Sequence, residues 1–130
     1  MKKRIAIFGS TGSIGTQALD VIRTNPDLFE VEILTAQTKD ELLVEQALEF
    51  NPNAVVIGDE KKYEKVKSAL ASRNIKVFAG EAALEQAADF DSYDIMLAAI
   101  VGFAVLKPTL KAVGKGRRVA LAKKENRVVG

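Results

Sequence analysis

The sequence lacks three residue types that carry much of protein chemistry. Its 130 residues contain no cysteine, no histidine and no tryptophan. Without cysteine there is no disulfide, thiolate zinc site or cysteine nucleophile, which is typical of a cytoplasmic protein. Without histidine, acid–base or metal chemistry would depend on carboxylate, lysine or tyrosine side chains. We therefore predict a binding domain with no catalytic residue and no metal ligand of its own.

Long apolar runs and a strong charge of one sign are also missing. No apolar run approaches the ~20 residues of a membrane span, and the basic start leads directly into a short strand-like run instead of a secretory signal. The formal net charge of +2 is small, and the basic residues between Lys107 and Arg127 have no aromatic side chains among them. We expect neither a membrane nor a nucleic acid as a partner.

What is present describes one globular domain over residues 1–130. With 48% hydrophobic and 28% charged residues, the chain has enough apolar surface for a core. Apolar β-branched runs alternate with segments of helical period, which predicts βα units and a parallel sheet buried on both faces. The six predicted strands are 4–8, 31–36, 54–57, 75–78, 94–99 and 118–121.

Five helices are predicted between these strands, at 12–24, 40–50, 60–72, 80–88 and 105–113. Ser13 is the expected cap of the first helix, and Asn25-Pro26 ends it. Right-handed crossovers between six parallel strands give a doubly wound, Rossmann-like α/β fold of three layers. We predict the strand order 3-2-1-4-5-6.

A glycine motif, G-x-x-G-x-x-G at 9–15, follows the first strand and opens the first helix. In that context it predicts a dinucleotide site. Gly9 would allow the tight turn, Gly12 would let a pyrophosphate approach the backbone, and Gly15 would let the helix lie close to the sheet. The N–H groups expected to bind phosphate at the positive end of the helix belong to Thr11, Ser13 and Ile14. The alternative is a tight turn that binds nothing.

The choice of cofactor is predicted from the end of the second strand. NAD sites place a carboxylate there for the ribose 2′-hydroxyl, whereas this chain has Gln37, Thr38 and Lys39. The strand's own carboxylates, Glu30 and Glu32, lie at its opposite end. Neutral donors followed by a cation suit a 2′-phosphate, so we predict NADPH in preference to NADH. The alternative is that Lys39 is an ordinary exposed lysine.

A second group of candidate residues follows the fifth and sixth strands. Residues 98–102 are small and apolar, as expected beneath a cofactor, and Lys123, Lys124 and Glu125 follow the sixth strand at the same edge. The charge pattern alone also fits a solvated basic loop.

Tyr63 and Lys67 have the Tyr-x-x-x-Lys spacing of short-chain dehydrogenases. The pair falls within the third predicted helix, where Tyr63 belongs to the apolar stripe. We interpret both residues as structural. The alternative is that they are catalytic residues of a complete small dehydrogenase.

Four stretches resemble the 1-deoxy-D-xylulose 5-phosphate reductoisomerase family, namely 9–22, 41–57, 98–113 and 120–125. The resemblance implies the NADPH-binding domain of an enzyme that converts 1-deoxy-D-xylulose 5-phosphate to 2-C-methyl-D-erythritol 4-phosphate in non-mevalonate isoprenoid biosynthesis. It also implies a homodimeric full-length enzyme with Mg²⁺ or Mn²⁺ held by a later domain. We expect this chain alone to be inactive. A standalone NAD(P)-binding or redox-sensing module acting through a partner protein is the alternative.

The resemblance also assigns residues. It implies that the pyrophosphate lies at Thr11, Gly12, Ser13 and Ile14, and the 2′-phosphate among Gln37, Thr38 and Lys39. It further implies that Lys123 and Glu125 lie near the nicotinamide and Lys124 on the substrate. The family usually has asparagine where this chain has Lys123.

Overall fold

A computed structural model describes residues 2–100 and 118–123 of the chain. The strands are β1 (Lys3–Phe8), β2 (Phe29–Ala36), β3 (Ala54–Ile57), β4 (Lys76–Ala79), β5 (Ile95–Ile100) and β6 (Arg118–Lys123). The α-helices are α1 (Ser13–Thr24), α2 (Asp40–Phe50), α3 (Tyr63–Ala69) and α4 (Glu81–Ala88), and a 3₁₀-helix spans Glu60–Lys62. The helix predicted at 105–113 lies outside the described residues. Within the described ranges, no helix has the length and apolar character needed to cross a membrane.

The six strands form one sheet in the order β4-β3-β2-β1-β5-β6, and every neighbouring pair is parallel. The Rossmann-like parallel fold is confirmed, but the predicted order 3-2-1-4-5-6 is wrong. β4 lies outside β3, and β5 takes the place beside β1 that was predicted for β4. The chain therefore moves outward in one direction through four strands before it returns past β1.

The physical reason for this order lies in where the helices pack. Val66 and Leu70 of the α3 segment join the same core as α1 and α2, so the β3–β4 connection continues on that face of the sheet. α4 packs on the opposite face through Leu84 and Ala87, and the return to the centre follows it. β4 is half-buried and begins with the exposed Lys76, which is how natural sheets protect an edge strand.

Two apolar cores lie on the two faces of the sheet and give the predicted three layers. The core beneath α1, α2 and α3 is built around Ile7, Leu34 and Leu43, while the core beneath α4 is built around Phe8 and Ile33. Successive residues of β1 thus serve opposite faces. Burial on both faces explains why the central strands are almost continuously apolar.

Two predicted helix boundaries are corrected by the structure. Gly12, not Ser13, is the N-cap of α1, because an extended Gly12 (φ −80°, ψ 174°) turns the chain into the helix and leaves Ser13 as its first residue. The helix predicted over 60–72 is divided in two. The Asp59 carboxylate accepts a hydrogen bond from the Lys61 N–H at 3.0 Å, which favours a tight 3₁₀ turn before α3 begins.

Candidate dinucleotide site

The glycine motif lies at the carboxyl edge of the sheet, between β1 and α1. β1 is central, with β2 on one side and β5 on the other. The chain leaves β1 towards β2 and later returns to β5, so the direction of winding reverses between β1 and β5. In open α/β sheets, a ligand crevice forms at that reversal. The fold therefore places the motif where a dinucleotide would bind.

Two glycines of the motif are required by the fold itself. Gly9 has a φ of 91°, in the left-handed region that disfavours other residues. A Cβ on Gly15 would lie 2.2 Å from the carbonyl oxygen of Gly9, closer than atoms can approach. Gly9 confirms the expected tight turn, and Gly15 lets α1 pack closely against the loop that follows β1.

Gly12 is different, because neither its conformation nor its packing requires glycine. Its φ of −80° suits any residue. A Cβ there would meet only the Gly9 carbonyl oxygen, at an ordinary contact distance of 3.7 Å. An empty position next to a helix N-terminus is what a ligand needs in order to approach the backbone closely. Gly12 is thus the glycine that the fold leaves unexplained and a bound pyrophosphate would explain.

The first turn of α1 offers backbone donors without acceptors. In the part of the chain that the structure describes, the N–H groups of Thr11, Ser13 and Ile14 make no hydrogen bond. The first turn contains no acidic side chain that would compete for them. Unpaired N–H groups at the positive end of a helix form an anion site. The expected donors are therefore all present on one short segment.

The loop is held from behind by buried hydrogen bonds that the sequence analysis missed. The Ser10 hydroxyl donates to Oε1 of Gln46 at 2.7 Å, and Nε2 of Gln46 donates to the Ser10 carbonyl oxygen at 2.9 Å. The N–H groups of Gly9 and Ser10 both donate to the carbonyl oxygen of Thr35. The Ser10 side chain thus points into the protein, where it holds the loop and does not face a phosphate.

One sequence signal could have indicated this contact. Gln46 lies on the apolar stripe of α2, between Leu43 and Ala47, and is 6% exposed. A buried amide on such a stripe needs partners for its donor and acceptor groups. Its presence there indicates a polar segment opposite the helix, although the sequence does not say which one.

Residues 37–39 leave the carboxyl end of β2, beside the glycine motif. Gln37, Thr38 and Lys39 are all exposed. The Gln37 amide lies against Gly58, where a Cβ would come within 2.7 Å of it. Lys39 is the N-cap of α2. The structure therefore brings the two predicted halves of the cofactor site to neighbouring strand ends.

The carboxylates of β2 lie away from this edge, as predicted. Glu30 pairs in register with Arg4 near the start of β1. Glu32 accepts a hydrogen bond from the side chain of Asn53, at 2.6 Å, near the start of β3. Neither side chain lies at the carboxyl edge of the sheet, where a ribose would be.

Asp40 directly follows residues 37–39, and its carboxylate is already paired. Asp40 is 6% exposed, and its two oxygens lie 3.2 Å from Nζ of Lys62 and 3.1 Å from Nζ of Lys65. The ammonium groups of Lys65 and Lys62 hold the pKa of the Asp40 carboxyl below its usual value, against the opposing effect of burial. The carboxylate therefore remains charged and is neutralised locally.

The third predicted group is described only in part. Lys123 is the last residue of β6 and pairs in register with Ile100 of β5, so its backbone lies at the carboxyl edge. Lys124 and Glu125 lie outside the described residues. In the described ranges no group of three or more carboxylate side chains could hold a metal ion.

Tyr63 and Lys67 lie on α3, away from the motif. The ammonium of Lys67 lies 5.4 Å from the centroid of the Tyr63 ring. This is a cation–π contact between neighbours four residues apart on a helix. α3 packs against α2 and the edge strand β4, and β3 and β2 lie between β4 and β1 in the sheet.

Comparison with known sequences identifies relatives of the chain. Residues 5–130 match the family described as 1-deoxy-D-xylulose 5-phosphate reductoisomerase. The enzyme of that name from Phocaeicola vulgatus is 55% identical over 129 residues, which are 99% of this chain and 34% of the relative. The one from Bacteroides fragilis is 54% identical over 98% of this chain and 33% of the relative. The chain spans about a third of the length of the curated relatives it matches.

Solved structures agree with these matches. A 1-deoxy-D-xylulose 5-phosphate reductoisomerase from Zymomonas mobilis in complex with NADPH has a TM-score of 0.89 and 41% identity, covering 98% of this chain and 34% of that one. A DOX-P reductoisomerase in complex with NADPH, fosmidomycin and magnesium has a TM-score of 0.88 and 34% identity, covering 97% of this chain and 31% of that one. The chain belongs to the 1-deoxy-D-xylulose 5-phosphate reductoisomerase family.

Proposed function

We propose that residues 1–130 are the NADPH-binding domain of a 1-deoxy-D-xylulose 5-phosphate reductoisomerase. The observation that carries the proposal is Gly12, an open backbone position that the fold does not require to be glycine. It lies next to N–H groups that have no partner among the residues the structure describes, at the switch point of the sheet. The family membership and the NADPH-bound structures of relatives support the same ligand.

The pyrophosphate would lie on the first turn of α1. Thr11, Ser13 and Ile14 would donate their N–H groups to its oxygens, and Gly12 would let them approach. Gly9 and Gly15 would keep the turn tight enough to aim these donors outward. Backbone donors fixed before binding lose little conformational entropy when the ligand arrives.

The adenosine 2′-phosphate would lie at residues 37–39. Gln37 and Thr38 offer neutral polar groups, and the ammonium of Lys39 offers a positive charge for the phosphate. All three are exposed at the edge that holds the glycine motif. An added phosphate therefore meets a cation in place of the carboxylate typical of NAD sites.

The reaction of the whole enzyme is part of the proposal. It would convert 1-deoxy-D-xylulose 5-phosphate to 2-C-methyl-D-erythritol 4-phosphate, as a cytoplasmic homodimer, in non-mevalonate isoprenoid biosynthesis. NADPH would supply the hydride, and Mg²⁺ or Mn²⁺ held outside this domain would polarise the substrate. Lys123 and Glu125 would lie near the nicotinamide and Lys124 on the substrate.

Titration of the 130-residue chain with reduced cofactors tests the proposal. We expect NADPH to bind more tightly than NADH, measured by cofactor fluorescence and by calorimetry. We also expect no turnover of 1-deoxy-D-xylulose 5-phosphate with Mn²⁺ present. Equal affinity for the two cofactors, or tighter NADH, would contradict the assignment of residues 37–39.

A further inference from the structure

The side chain of Lys62 connects the two loops that follow β2 and β3. Its ammonium donates to the carbonyl oxygen of Thr38 at 2.8 Å and to Oδ1 of Asp40 at 3.2 Å. Lys62 lies at the end of the 3₁₀-helix, 22 residues beyond Asp40. Through this side chain the 3₁₀-helix contacts residues 37–39, the segment where the 2′-phosphate would bind.

Asp40 is the acidic group nearest in sequence to that segment. It is the first residue of α2, four positions after β2 ends, close to where NAD sites keep a carboxylate for the ribose diol. Unpaired, it would repel a 2′-phosphate and accept hydroxyl hydrogen bonds. Its ion pairs with Lys62 and Lys65 weaken both effects.

We propose that Lys62 is a specificity-determining positioning residue, which fixes the Thr38 carbonyl and neutralises Asp40 so that residues 37–39 accept a 2′-phosphate in preference to a ribose diol. The inference rests on the proposed NADPH site. Lys62 need not touch the cofactor for this role. It acts on the shape of the loop and on the charge beside it.

Removing the ammonium gives the main test. In Lys62→Met the apolar stem is kept, but the Thr38 carbonyl loses its donor and Asp40 loses one of two cations. We expect NADPH to bind about tenfold more weakly, while NADH changes by less than about twofold because it has no 2′-phosphate to repel. The measurement is the dissociation constant of each cofactor for the same protein preparation.

The neighbouring lysine provides a matched control. Lys61 is exposed and carries the same charge, and its side chain makes no hydrogen bond or ion pair within the described residues. Lys61→Met should keep the wild-type preference for NADPH. Lys62→Arg should also keep most of it, because the guanidinium retains both the charge and the donors.

A double variant separates charge neutralisation from a general loss of structure. If Lys62 acts by covering Asp40, Asp40→Asn added to Lys62→Met should restore at least half of the lost preference on a logarithmic scale. Thermal melting of every variant shows that the titrations are made on folded protein. A merely structural role would lower both affinities together and would not be rescued.

Wild-type and variant titrations test different statements. A wild-type chain without NADPH preference overturns the proposed function and this inference with it. If the wild-type chain prefers NADPH, either of two results overturns the inference alone. One is that Lys62→Met keeps the wild-type preference for NADPH, and the other is that Lys61→Met loses as much of that preference as Lys62→Met does. A selective loss in Lys62→Met alone, rescued by Asp40→Asn, supports it.

Discussion

Substitution of Gly15 by alanine should destabilise the fold. The new Cβ would lie 2.2 Å from the Gly9 carbonyl oxygen and 2.6 Å from Cα of Ser10. Both are backbone atoms, so α1 would have to move by about 1 Å to restore normal contact. Overpacking of this kind costs about 3 kcal/mol of the free energy of unfolding. For a domain of this size, that lowers Tm by about 10 °C.

Substitution of Gly12 by alanine should leave the fold intact and remove cofactor binding. Its Cβ would meet only ordinary contact, in a conformation open to alanine. Alanine makes the unfolded chain less flexible, which stabilises the fold, but it is a poorer N-cap than glycine, which destabilises it. The net change in the free energy of unfolding should therefore stay within about 1 kcal/mol. The methyl group would keep phosphate from at least two N–H donors. NADPH affinity should therefore fall by about 100-fold or more.

Circular dichroism melts and NADPH titrations of both variants, with wild type, test this contrast. Gln17→Ala is the matched control, because Gln17 is an exposed residue of the same helix that lies outside the motif, one turn beyond Ser13. It should resemble wild type in both assays. Wild-type NADPH affinity in Gly12→Ala would refute the pyrophosphate assignment. A wild-type Tm in Gly15→Ala would refute the steric argument.

Three further predictions concern single contacts. Gln46→Leu should lower the free energy of unfolding by about 2 kcal/mol, because the buried Ser10 carbonyl oxygen loses its donor and the Ser10 hydroxyl keeps only its bond to the Thr35 carbonyl oxygen; a chemical denaturation midpoint equal to wild type would contradict this. Lys39→Ala should weaken NADPH binding by about tenfold and spare NADH, and an equal loss for both in calorimetry would count against its role. Hydrogen bonds from Arg4 hold the pKa of Asp94 below its usual value, so the stabilisation is present above the unfolded-state pKa and is lost as pH falls through the lower folded one. Asp94→Asn should therefore lower Tm at pH 7 and match wild type near pH 2; a difference that is constant with pH would exclude this cause.

Local signals account for the parts of the fold that the sequence predicts well. The bounds of α2 and β3 agree with the prediction, since an acidic residue opens α2 and Asn51-Pro52 separates it from β3. The need for glycine in the motif is equally local, because Gly9 is required by its own φ and Gly15 by atoms five and six residues before it. Such features need no knowledge of which strands become neighbours.

The strand order depends on which strands become neighbours, and local signals do not show this, so the predicted order was wrong. β4 has the apolar pattern of the other strands, so its place in the sheet depends on where α3 and α4 find apolar surface. The two side-chain contacts behind the site are also non-local. Ser10 and Gln46 are 36 residues apart, and Asp40 and Lys62 are 22 apart, so no spacing in the sequence indicates either pair.

These two contacts make α2 the element that fixes the distance between the phosphate sites. Gln46, in its middle, holds the loop where a pyrophosphate would bind. Asp40, at its start, is held by Lys62 beside the segment where a 2′-phosphate would bind. One helix, packed into the core through Leu43 and Ala47, would therefore connect both anchor points of a single ligand. Because the pyrophosphate and 2′-phosphate of NADPH are separated by a ribose of fixed size, holding both sites on one helix lowers the entropy lost on binding.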